Sequence, residues 1–239
     1  MNLPYRTMTI EMFERKDETM RSSDLTPGIL PLARRAILIL LVTFASLATV
    51  TTPVWASAPA EVYVQNNVQT GLSILNNHSA STDQKREQFE HFILGLTDMK
   101  RIANFTLGQY KRTASPQEQE AFAQAFQSYA IAVYQSYFSK YSGQTLKVTG
   151  SQERAPGDTI VQTVMLDPND KSGQPPLEVD FRVLSENGKF VVIDFSVSGI
   201  WLALEERDQF SSFLGQNNGS IPLLISHLKE LARNYKAEH

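Results

Sequence analysis

The 239-residue chain contains no cysteine. That excludes a disulfide scaffold, thiol catalysis and cysteine-bound zinc. Histidine is almost as scarce. His78, His91, His227 and His239 stand apart, with no two at metal-ligand spacing, so no metal site is expected. There is no Gly-x-Ser-x-Gly elbow and no glycine-rich phosphate loop, which leaves serine-hydrolase and nucleotide chemistry without support. Charge of one sign is missing too: 22 Lys+Arg stand against 25 Asp+Glu, for a formal net charge of −3, and the basic residues are scattered. A nucleic-acid binder needs a basic face. No apolar run reaches the about 20 residues of a membrane-spanning helix. No cofactor is implied, and stability has to come from packing alone.

Near its start the chain carries an export pattern. Arg34-Arg35 form a charged segment, and Ala36 to Val50 is an uncharged, mostly apolar run. Two small-residue cleavage sites follow, after Ala56 or Ala58. The expected organisation is a polar extension over 1–33, disordered or read from too early a start codon, then a signal peptide over 34–58, then one domain over 59–239. An uncleaved anchor is the alternative reading of the same run. Export from the cytoplasm is expected.

The first half of the domain reads as helices. Val64, Val68, Leu72 and Leu75 recur at helical spacing within Val62 to Asn76. Thr82 caps a segment bearing Phe89, Phe92, Ile93 and Leu96. Thr97 caps another with Asp98 in its first turn, and Gly108 ends it. Ser115, Pro116 and Glu118 restart the chain as a capping box with proline at the first helical position. The helix that follows, to about Tyr141, would be about 40 Å long. Phe122, Phe126, Tyr129, Val133 and Tyr137 form its stripe; Ala130, Tyr134, Phe138 and Tyr141 widen it. Phe and Tyr at this spacing usually make core. The hydroxyls of Tyr110, Tyr129, Tyr134, Tyr137 and Tyr141, however, suit a pocket that meets water at its rim.

The second half reads as strands at Thr145–Glu153, Asp158–Asp167, Leu177–Ser185 and Lys189–Val197, followed by helices over Trp201–Leu214 and Ile221–Tyr235. Helices, then four antiparallel strands, then helices indicate an α+β fold. For the last hairpin a three-residue loop, Glu186-Asn187-Gly188, is expected. It sets Phe181 opposite Ile193, aligns the apolar faces, and leaves Asp180 opposite Asp194 with Arg182 or Arg207 as the compensating cation. Asp98 with Arg101 reads as a surface pair or as a buried bridge to the long helix. Asp194 with Arg207 reads as a tie between sheet and helix.

Two stretches together resemble a known family. One is Asp98, Arg101, Ile102, Ala103, Phe105, Leu107, Gly108, Tyr110 and Arg112, followed by Ser115-Pro116. The other is Val191-Val192-Ile193-Asp194, Gly199-Ile200, then Arg207-Asp208-Gln209-Phe210. In this order and spacing they resemble the MlaC-type, or toluene-tolerance, family of periplasmic phospholipid carriers, over Val62 to Leu231. Trp201 departs from the small polar residue common at its position. The resemblance implies a non-enzymatic periplasmic carrier that holds acyl chains in an apolar cavity between a helical layer and a curved four-stranded antiparallel sheet. It implies as partners an inner-membrane ABC transporter complex and an outer-membrane lipoprotein complex. The expected cavity wall is Phe105, Tyr110, Val133, Tyr137, Phe181, Val183, Ile193, Phe195 and Trp201. Asp98, Arg101, Arg112, Asp194 and Arg207 are expected at the rim or in structural roles. Three alternatives stay open: a hopanoid-type polycyclic lipid as cargo, a small enzyme using Asp194 as base, and a ligand-free envelope protein.

Overall fold

A computed structural model describes residues 58–237. The expected extension over 1–33 and all but the last residue of the export segment over 34–58 lie outside the described residues. Four helices come first: α1 (Pro59–Leu75), α2 (Thr82–Leu96), α3 (Met99–Thr106) and α4 (Pro116–Ser136). Strands β1 (Thr145–Ala155), β2 (Asp158–Leu166), β3 (Leu177–Glu186), β4 (Lys189–Val197) and the two-residue β5 (Ile200–Trp201) follow, then α5 (Leu202–Gln216) and α6 (Ile221–Ala237). The architecture is α+β, with five antiparallel strands in sequence order rather than the expected four.

Local chemistry sets the helix ends. Ser81, not Thr82, caps α2 in a capping box with Gln84. Asp98, not Thr97, caps α3 by accepting from the Arg101 N–H, while Thr97 ends α2 and bridges to Val192 at the sheet edge. The Ser115–Glu118 capping box starts α4 as its sequence dictates. At 21 residues α4 is about 32 Å long rather than 40 Å, because a 3₁₀ turn over Tyr137–Lys140 takes over its end.

The β3–β4 hairpin corrects the expected register. Glu186 pairs with Lys189, so the loop has two residues, Asn187 (φ 52°) and Gly188 (φ 76°). Positive φ at both positions is the hairpin turn that follows strand twist, and Asn-Gly is its preferred sequence. Such a loop alone would place Phe181 opposite Asp194 and mix the faces. A bulge prevents this. The register shifts between Arg182 and Val183, leaving Ile193 unpaired and Phe181 opposite Phe195. Asp194 falls opposite Arg182, and Asp180 lies opposite Ser196, whose hydroxyl hydrogen-bonds it. The repulsive Asp180–Asp194 pair therefore does not form.

The buried apolar residues form two clusters rather than one. The helical cluster joins α3, α4, α5 and α6 through Leu107, Phe122, Phe126, Phe210, Leu214, Leu224 and Leu228. Phe210 meets Phe122 and Phe126 edge-on, with ring centroids 5.9 and 6.2 Å apart. The sheet cluster joins Ala60 and Val64 of α1 to Val161, Val183 and Val192. These strand residues lie toward the end of the sheet that carries the β1–β2 and β3–β4 turns. A domain of this size ordinarily has one contiguous core. Here the long helix α4 packs chiefly on α6 and α3, whereas the sheet is touched by α1 along β1 and β2 and by α3 and α5 at β4.

Candidate functional site

Between the two clusters lies a zone where the layers meet through aromatic side chains. Tyr134 reaches it from α4, with Val133 and Tyr137 of the helical cluster near it in sequence, and Phe181 and Phe195 reach it from the sheet. The register makes this wall: Phe181 and Phe195 are direct cross-strand partners, so both rings stand on one face, 6.4 Å apart. Val179 and Val197 pair next to them and continue that face away from the turns. Tyr134 meets the Phe195 ring at 5.7 Å. Tyr134, Tyr137, Phe181 and Phe195 keep partial solvent access although protein surrounds them, and Val133 is buried. Burial drives the Tyr134 hydroxyl far above its ordinary range and raises that of Tyr137 to about 12. Neither ionises at neutral pH, so the zone is apolar with neutral hydroxyls.

A buried polar cluster adjoins the helical wall. The Tyr129 hydroxyl donates to Glu206 Oε1 at 3.1 Å, and Tyr129 lies 6.3 Å from the ring of Tyr235. Loss of water around Glu206 raises its carboxyl to about 7; the Tyr129 bond pulls the other way, and the neighbouring Glu205 adds a small upward push. Its second oxygen, Oε2, is sealed from solvent and has no hydrogen-bond partner among the described residues. The sequence offered a signal for this group that the expected site omits. Glu206 follows Ala203 by three positions and precedes Phe210 by four, which places an acid on the apolar stripe of α5.

The other expected residues take different places. Val183 is fully buried in the sheet cluster, and Ile193 is the bulge residue. Trp201 pairs with Ser196, on the face opposite that of Phe195. Phe105 lies on the outside of α3, 41% exposed, under the Arg207 guanidinium at 5.0 Å. It borders a shallow surface groove with Asp98, Lys100, Arg101, Asn104 and Lys111. Tyr110 packs at the turn between α5 and α6, within van der Waals reach of Gly215 and Gly219. The structure brings neither Phe105 nor Tyr110 to the zone between the layers. Arg112 is exposed at the end of a 3₁₀ turn.

Asp194 ties sheet to helix, but not through Arg207. Its Oδ1 accepts from the N–H groups of Phe195 and Ala203, each at 2.9 Å. It therefore caps the first turn of α5. Burial raises its carboxyl, while these two bonds and Arg182 hold it down. Arg182 itself clasps Asp158 at 2.8 Å. Arg101 touches Asp98 at 3.3 Å and forms a bidentate bridge to Glu186 at 2.8 and 2.9 Å. The bridge is half-exposed and pins α3 to the β3–β4 hairpin rather than to the long helix.

The fold recurs in a solved structure described as a phospholipid-binding protein from Ralstonia solanacearum in complex with a phospholipid. The match has a TM-score of 0.65 at 21% sequence identity and covers 75% of this chain and 99% of that one. The sequence model of the MlaC protein family matches residues 65–230, a span that takes in both layers, both aromatic walls and Glu206. The chain thus belongs to the MlaC family.

Proposed function

We propose that this protein is a non-enzymatic periplasmic carrier that takes up a phospholipid between its sheet and its long helix. The acyl chains lie against Val133, Tyr134, Tyr137, Phe181 and Phe195, and the head group stays in water. One observation carries the reading: the two apolar clusters do not merge, and aromatic residues with partial solvent access line the zone between them. Transfer needs no covalent chemistry, because hiding an acyl chain gains about 0.8 kcal/mol per buried CH₂. Family membership and the phospholipid in the Ralstonia structure support the choice of cargo. Shuttling between an inner-membrane ABC transporter complex and an outer-membrane lipoprotein complex completes the proposal, with export by the segment from Arg34 to Ala56 or Ala58. Native mass spectrometry of protein purified from cells tests it. A stoichiometric phospholipid adduct is expected, and repeated recovery of bare protein overturns the reading. Val133→Trp, which fills the zone from the helical side, is expected to reduce the adduct while leaving a cooperative unfolding transition.

A further inference from the structure

Glu206 is the one group of the domain whose chemistry is left incomplete by its surroundings among the described residues. Its Oε1 is satisfied by Tyr129, whereas Oε2 is buried and unpartnered. A buried acceptor without a donor costs free energy and is uncommon in folded proteins. Burial and the field of Glu206 both act on the Tyr134 hydroxyl. Tyr134 is also the residue that closes the zone between the layers, through its ring contact with Phe195. A group that parts this contact comes into the neighbourhood of Glu206 and the Tyr134 hydroxyl at once.

Resting on the carrier reading above, we infer that Glu206 and Tyr134 form a polar subsite within the apolar zone, and that it takes a neutral hydroxyl carried on an otherwise apolar cargo. The chemistry selects a hydroxyl over other polar groups. An alcohol donates to a carboxylate, accepts from a carboxylic acid, and accepts from a tyrosine hydroxyl, so it satisfies both residues in either protonation state of the acid. A carboxyl that titrates near neutrality is present in both states. An ammonium group would have to shed its water in apolar surroundings, at a far larger cost. An ester carbonyl only accepts, and would leave the carboxylate form of Glu206 unpartnered.

The test uses the full mature domain stripped of lipid, and a series of C18 fatty acids: stearate, and stearates bearing one hydroxyl at different carbons. Binding is read by displacement of a fluorescent fatty acid. Wild-type protein is expected to prefer at least one hydroxylated chain over stearate by about three- to tenfold, the size of one net hydrogen bond. Glu206→Leu is expected to abolish or invert that preference while retaining stearate binding. Tyr134→Phe is expected to reduce it. If wild-type protein binds stearate and every hydroxylated chain equally, or if Glu206→Leu keeps the preference, the subsite is wrong and the carrier reading stands. If none of the chains binds, the subsite falls, and the carrier reading stands or falls by its phospholipid adduct.

Discussion

Replacing Glu206 by glutamine removes a titrating proton from the helical layer while keeping the shape of the side chain. In the folded protein this carboxyl titrates near 7, against an ordinary value of 4.5. Its folded pKa is raised, so between 4.5 and 7 the native state holds a proton that the unfolded chain has released. Stability therefore falls as pH rises through that window, and is level below and above it. A displacement of about 2.5 pKa units corresponds to about 3 kcal/mol. The group is deep in the protein, so solvent screening does not reduce that figure much. Glutamine cannot titrate, and Tyr129 can still donate to its amide oxygen. Its buried amide N–H group adds a constant offset that cancels in the comparison. The assay is urea unfolding of both proteins, freed of lipid, at pH 4 and pH 8. Wild-type protein is expected to lose about 3 kcal/mol more than the variant between the two. Other carboxylates contribute equally to both proteins and drop out of the difference. Equal pH slopes, within about 1 kcal/mol, would refute the claim that burial in the helical layer raises this carboxyl toward neutrality.

Three further outcomes follow from the packing. Phe210→Ala removes a ring held edge-on by Phe122 and Phe126 and is expected to cost about 3–5 kcal/mol in denaturant unfolding. Asp194→Ala deletes the acceptor for the Ala203 N–H and is expected to cost about 1–2 kcal/mol, with loss of amide-exchange protection concentrated in the first turn of α5. Gly108→Ala forces a Cβ onto a residue at φ 55° and sets it 3.4 Å from Arg207 Cγ and Ser211 Oγ. About 1–2 kcal/mol is expected, read as a lowered melting temperature.

The four long strands and the start of α4 could be read from the sequence because they depend on local signals. Ser115-Pro116 with Glu118, the glycine at 108 and the alternating residues of β3 and β4 each act within a few residues. The hairpin register could not be read this way. Face matching and turn chemistry gave conflicting answers around Asn187-Gly188, and the chain satisfies both with a bulge at Ile193. Neither the turn nor the alternation alone announces that solution. The candidate wall divides along similar lines. Phe181 and Phe195 follow from strand alternation, and Val133 and Tyr137 from the helical stripe. Phe105 and Tyr110 sit next to the same signature, but Gly108 turns the chain so that one faces Arg207 and the other the α5–α6 turn. Trp201 depends on which face a two-residue strand presents, which its own sequence does not encode. Glu206 was visible only as an acid on an apolar stripe, and which of its oxygens is left over depends on the reach of Tyr129 across from another helix.

The Arg101–Glu186 clasp and the Thr97–Val192 bridge both lie toward the β3–β4 turn end, where α1 also grips the sheet. The two layers are thus bound like the boards of a book along its spine. At the other end of β4, Asp194 and the β4–β5 pairing tie the sheet to α5, whereas α4 meets the sheet through the Tyr134 and Phe195 rings, 5.7 Å apart. A ring contact parts without breaking a hydrogen bond, so a cargo that separated α4 from β4 would leave the spine and the α5 tie in place.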